Sequence, residues 1–194
     1  MTEKSTEEYL LSLFKIKEVP QDEEWKRFTD SARLQVYKKN EVILKRNLRF
    51  THVLFVAEGI LASEFTLKDK TVIGRFFTMG NLCTNFDSLL NQSASLYQVV
   101  SITACKVIAV PAADFMEYYY NGTVVGRVLR KIVLEIITED IWITNVKLLY
   151  QKPEMVDFIR DYYPEVAREV PFKYIAQFLG ITPEAYSRIL KRSL

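Results

Sequence analysis

The chain has 194 residues, 49% hydrophobic and 26% charged, with a net charge of +2, values of an ordinary globular protein and not of a disordered, collagen-like or membrane chain. No apolar run approaches the roughly 20 residues a membrane helix needs, and the polar, acidic opening Met1 to Glu8 lacks the positive charge and apolar stretch of a secretory signal, so a cytoplasmic location is expected. Cys83 and Cys105 stand far apart without neighbouring Cys or His and His52 is the single histidine, which argues against a disulfide framework, a zinc site or His-based catalysis; no metal, cofactor or enzymatic activity is expected.

Apolar positions at helical spacing predict two short leading helices, one over 5–15 with Tyr9, Leu10, Leu13 and Phe14, the other over 21–29 with Trp25 and Phe28, separated by Pro20. From Leu34 to Val110 the chain turns to short runs rich in Val, Ile, Phe and Thr, broken by turn signals such as Arg46-Asn47, Glu58-Gly59, Lys68-Asp69-Lys70 and Gly80-Asn81. Strands over Val53 to Ala57, Leu61 to Leu67, Val72 to Phe77 and Tyr97 to Ile102 predict a compact antiparallel sandwich or barrel, with His52 as a strand residue and both cysteines as small buried hydrophobes.

After Pro111 the period becomes helical, first over Ala112 to Tyr120, then over a long helix opened by Asn121-Gly122-Thr123 and closed before Pro153. The long helix carries two apolar seams, Val125, Leu129, Ile132, Ile136, Ile143 and Val146, and Leu134, Ile137, Ile141 and Leu148. A helix apolar on two sides must bury both, one on the sheet domain and one on a second copy of the chain. We assign the first seam to the dimer face, although the pattern alone leaves open which seam faces which; the alternative is a helix buried wholly within one subunit. A further helix runs from Glu154 to Tyr162, with Met155, Phe158 and Ile159 on one side, and ends at Pro164.

The stretch from Pro171 to Lys191 meets the requirements of a helix-turn-helix. Ile175 and Leu179 form the inner face of its first helix, Ala176 keeps the crossing close, and Gly180 permits the positive φ of a tight exit. Thr182 caps the second helix, Pro183 sits at its first position, and Tyr186, Ile189 and Leu190 face inward. Pro183, Glu184, Ser187 and Arg188 then face outward as base readers, Arg188 toward guanine and Glu184 toward cytosine; Lys173, Thr182, Lys191 and Arg192 are placed for phosphates. Charge agrees: from Arg168 onward five cations face two carboxylates, a net +3, while the rest of the chain carries −1. The competing reading is an αα-hairpin that binds nothing.

The order of β-rich domain, long helix and terminal helix-turn-helix resembles the Crp/Fnr transcription regulators over essentially the whole chain. In the β region the resemblance rests on Tyr37 to Leu44 (YKKNEVIL), Leu54 to Ile60 (LFVAEGI) and Arg75 to Asn81 (RFFTMGN), and at the end on Tyr174 to Ile189 (YIAQFLGITPEAYSRI). It implies an α+β protein: a cyclic-nucleotide-binding-like, jelly-roll-like antiparallel β-roll with leading helices over 1–120, a dimerisation helix over 121–150 and a helix-turn-helix over 151–194. It also implies a homodimer binding two-fold symmetric double-stranded DNA, a small-molecule effector and RNA polymerase as a further partner, with no membrane.

The departures alter that expectation. Family members that bind cyclic AMP carry Gly-Glu for the ribose and Arg-Ser or Arg-Thr for the phosphate, where this chain has Thr84-Asn85 and Ser95-Leu96, with Asp87 adding negative charge. Gating by cyclic AMP is therefore not expected; another effector would meet Thr84, Asn85, Ser88, Ser93, Ser95 and Tyr97, unless these form only a polar surface loop. Pro183 stands where members reading a guanine-rich half-site have Arg, so the target sequence should differ, and the chain ends just past the second helix, so no β-wing is expected. The other functional readings are a ligand-sensing module acting through protein contacts and a cupin-like enzyme, for which a single histidine supplies no metal cage.

Overall fold

The computed structural model describes residues 4–21, 23–68 and 70–192. The opening up to Glu3, Asp22 of the second predicted helix, Asp69 of the predicted turn, and Ser193 and Leu194 lie outside them. Among the described residues there are nine helices and eight strands: α1 Thr6–Leu13, α2 Glu23–Ser31, β1 Arg33–Tyr37, β2 Val42–Leu44, β3 His52–Glu58, β4 Leu61–Leu67, β5 Lys70–Phe77, β6 Leu82–Cys83, α3 Phe86–Asn91, β7 Gln98–Ser101, β8 Cys105–Pro111, α4 Ala112–Tyr120, α5 Val124–Leu149, α6 Lys152–Tyr162, α7 Pro164–Glu169, α8 Phe172–Leu179 and α9 Pro183–Arg192.

The strands pair antiparallel in two four-stranded sheets, ordered β1-β8-β3-β6 and β2-β7-β4-β5. Their inner faces enclose Leu54, Val56, Leu61, Phe77, Val99 and Val107, together with both cysteines, which are buried and unpaired. Burial holds the Cys83 thiol well above its ordinary pKa. His52 opens β3, with Nδ1 2.9 Å from Thr51 Oγ1.

Each sheet also has a covered outer face. On the first, Val53, Phe55, Ile108 and Val110 pack with Trp25 and Phe28 of α2, Phe115 of α4 and Leu129 and Val133 of α5. Ser5 and Glu8 fix the start of α1 as a capping box, so Tyr9 and Leu10 enter this cluster. On the second sheet, Ile60, Ala62, Ile73, Val100 and Ile102 pack against the C-terminal half of α5 and the terminal helices through Ile143, Phe158, Ile159, Ile175 and Phe178. The terminal helices are thus seated on the roll by an apolar contact, since an uncovered aliphatic sheet face would cost roughly 25 cal/mol per Å² of apolar surface left in water.

Two sequence expectations are corrected. Pro164 does more than end α6: it occupies the first turn of α7, where its missing N–H is harmless. On α5, Val125, Leu129, Ile136, Ile143 and Val146 of the assigned dimer face are buried inside the chain and Ile132 is half-buried, with Val133 completing the row. The other seam is in water: Leu134 is 63% exposed, Ile137 44%, Ile141 59% and Leu148 79%. Leu134, Ile141 and Leu148 each stand two residues from Ile136, Ile143 and Val146, about 200° round the helix, so a row that meets the roll turns its counterpart outward.

Candidate nucleic-acid interface and effector cavity

Thr182 starts α9 by accepting the Ala185 N–H on its hydroxyl at 3.2 Å. Gly180, at φ +68°, lets the chain leave α8 and enter α9 within a few residues. Tyr186 is buried against the Phe172 ring, with centroids 5.2 Å apart, and Ile189 and Leu190 pack on the same core. This phase leaves Thr182, Pro183, Glu184, Arg188, Lys191 and Arg192 exposed, with Ser187 half-buried among them; Lys173, on α8, is also exposed. Glu184, Arg188 and Lys191 recur at helical spacing on one face of α9, which itself packs on α8 and α6. The Glu184 carboxyl lies below its usual pKa, held by its own backbone N–H first, then by the Thr182 hydroxyl, with help from the Arg188 charge.

Side-chain contacts beyond the apolar core also fasten this unit to the rest of the molecule. Phe178 of α8 meets Phe76 of β5 at 5.4 Å between ring centroids, Lys147 Nζ of α5 lies 3.6 Å from the Phe178 centroid, and Tyr174 donates its hydroxyl to Asn40 Oδ1 at 3.2 Å.

A cavity of about 370 Å³ opens between the roll and α5. Of the predicted effector residues, Thr84 and Tyr97 line it, and Tyr97 donates its hydroxyl to Thr84 O at 2.8 Å. Asn85, Ser88, Ser93 and Ser95 do not, which corrects their assignment. Asn85 caps α3 by accepting the Ser88 N–H at 2.9 Å and donates to Ser95 Oγ at 2.9 Å; Ser88 Oγ donates to Ser93 O at 2.7 Å, and Ser93 donates to Asp87. Asn85, Ser88, Ser93 and Ser95 thus satisfy one another within the loop and do not face the cavity.

The cation missing from that loop comes from elsewhere. Arg75, on β5, lines the cavity at 8% exposure and pairs with Glu139 and Asp140 of α5. Its direction depends on a bulge: Ser63 pairs with Arg75 while Glu64 pairs with Ile73, leaving Gly74 as the extra residue, and a Cβ at Gly74 would lie 2.6 Å from the Phe65 ring. Sequence reading passed Arg75 over inside the motif RFFTMGN; a cation among strand residues on an apolar face was the available signal. Lys147 joins the same wall, and burial first, then Lys152, lowers its pKa to about 8. Among the described residues no group of three metal-ligating side chains occurs, and no helix is long and apolar enough to cross a membrane.

Residues 34–120 match the model of the cyclic nucleotide-binding domain family. Beyond the roll, the long helix and terminal helices complete the fold of Crp/Fnr-family regulators. FixK2 from Bradyrhizobium japonicum is similar at 19% identity, with 83% of each chain covered and a TM-score of 0.66. A protein described as a Crp/Fnr-family transcriptional regulator from Eubacterium rectale is 15% identical over 89% of this chain and 83% of its own, with a TM-score of 0.69. The c-di-GMP-responsive global regulator CLP of Xanthomonas campestris is 14% identical over 88% and 90%, with a TM-score of 0.66. No curated protein sequence matches this chain significantly.

Proposed function

We propose that this chain is a sequence-specific DNA-binding transcription regulator of Crp/Fnr type, acting in the cytoplasm as a homodimer and without enzymatic chemistry. The observation that carries this reading is the outward face of α9, where Pro183, Glu184, Ser187 and Arg188 stand at the N-terminal end that a recognition helix inserts into the major groove. Lys173, Thr182, Lys191 and Arg192 surround them as phosphate contacts. In this reading 1–120 is the sensor, 121–150 the dimer helix and 151–194 the DNA-binding unit, with a second copy seated on Leu134, Ile137, Ile141 and Leu148 and RNA polymerase as a further partner.

The effector enters the cavity between roll and long helix. Cyclic AMP does not suit it: the α3 loop, where cyclic-AMP-binding members carry the phosphate-pairing Arg, offers no cation, and Asp87 adds a negative charge there. Selection of bound fragments from a random duplex pool by the full chain, with and without a small-metabolite extract, tests the proposal. A two-fold symmetric motif with half-sites about 34 Å apart is expected. Equal affinity for every duplex at all salt concentrations would overturn it.

A further inference from the structure

Arg75 is nine-tenths buried, and its terminal nitrogens are held by Glu139 and Asp140, but its Nε has no hydrogen-bond partner among the described residues. Thr84 Oγ1 is likewise buried and unpartnered. Both side chains line the same cavity, beside the rings of Phe65, Phe77 and Tyr97. Buried polar atoms are nearly always satisfied, so two orphans in one wall point to a partner supplied from outside the chain. Arg75 Nε is a donor and needs an acceptor. Lys147 adds further donors, its acceptor Gly74 O lying a long 3.4 Å away.

Glu139 has a second partner. It accepts the Tyr163 hydroxyl at 2.9 Å, and Tyr163 joins α6 to α7. Arg75, Glu139 and Tyr163 therefore connect the roll, the long helix and the terminal helices in one chain of contacts.

Taking the cavity as the effector site, as above, we propose that its ligand is a small aromatic carboxylate that displaces Asp140 and Glu139 from Arg75 and thereby loosens the terminal helices from the roll. The ligand carboxylate takes over a guanidinium that is already desolvated, while the two carboxylates it displaces, 29% and 54% exposed, turn to water, so the ring contacts and the two orphan atoms decide the exchange. Glu139, released from its cation, turns to water and gives up Tyr163. The bound state then frees α6–α9 to take the orientation that DNA demands.

The full chain titrated with 1-naphthoate, its uncharged amide 1-naphthamide and cyclic AMP, read by thermal midpoint and by amide hydrogen exchange over 172–192, tests this. Naphthoate should raise the midpoint and speed exchange over 172–192 severalfold, while naphthamide does neither. Arg75→Gln, its fold checked by circular dichroism, should lose both effects, and Arg75→Lys should keep them weakened. Tyr163→Phe should bind naphthoate normally and show fast exchange without it. Equal shifts from the amide, a naphthoate shift that survives Arg75→Gln, or binding of cyclic AMP alone would overturn the carboxylate exchange and leave the cavity as an effector site. No shift from any of the three would overturn both readings.

Discussion

Lys147 Nζ lies 3.6 Å from the centroid of the Phe178 ring, a contact between the long helix and the first helix of the terminal pair. The ring face favours the ammonium form, whereas burial and Lys152 oppose it and lower the pKa from 10.5 to about 8. A folded-state pKa below the unfolded value means that the unfolded chain binds more protons across that window, so stability rises with pH between the two values and is least below the lower one. Lys147→Met should abolish this rise and, after discounting for partial exposure, stabilise the protein near neutral pH by about 1–2 kcal/mol. Urea unfolding across the window checks it; an unchanged slope would show that the ring fully compensates the charge.

The two seams of α5 make opposite predictions for one kind of change. Ile141→Asp alters a side chain that is 59% exposed and should leave the monomer folded, shifting sedimentation from dimer to monomer. Ile136→Asp places a carboxylate where the side chain is 6% exposed and should lower stability by about 4 kcal/mol or more, whatever the association state. Retained dimer in Ile141→Asp would place the second copy elsewhere.

Much of the fold was legible because its period was strong. Ala112–Tyr120 has the bounds that Pro111 and Asn121 suggest, and the α5 apolar rows could be read by eye. What could not be read was which row meets the roll, since both are equally apolar and the choice is made by Val125 and Leu129 packing with the leading helices. The cavity was less legible. Polar residues of the α3 loop looked like ligands because a loop between strands is usually solvated, but Asn85, Ser88 and Ser95 are buried and bond within the loop. Arg75 was hidden because the Gly74 bulge, which decides the side that β5 presents, leaves no clear mark in the alternation.

Arg188 and Lys191 lie on the same face of α9 but serve different parts of a duplex in the proposed complex. Arg188→Ala should cost about 1–3 kcal/mol on the preferred sequence and relax discrimination at one base pair. Lys191→Ala should weaken all sequences alike and reduce the slope of log affinity against log salt by about one. Fluorescence titrations on matched and mismatched duplexes at several salt concentrations separate the two; identical behaviour would remove Arg188 from the base-reading set.

Glu184 and Thr182 are coupled through the start of α9. Thr182 accepts the Ala185 N–H and holds the Glu184 carboxylate, whose lowered pKa keeps it ionised, an acceptor only, throughout the neutral range. Discrimination that depends on Glu184 should therefore be flat between about pH 6 and 8 and decline only in acid, as the carboxylate is protonated. Thr182→Ala removes the cap and one of the two hydrogen bonds on the carboxylate. It should destabilise the chain by about 0.5–2 kcal/mol and raise the Glu184 titration midpoint toward the ordinary carboxyl value. Carbon-detected NMR titration of the Glu184 carboxyl checks the second effect, and an unmoved midpoint would show that the backbone N–H alone holds the charge.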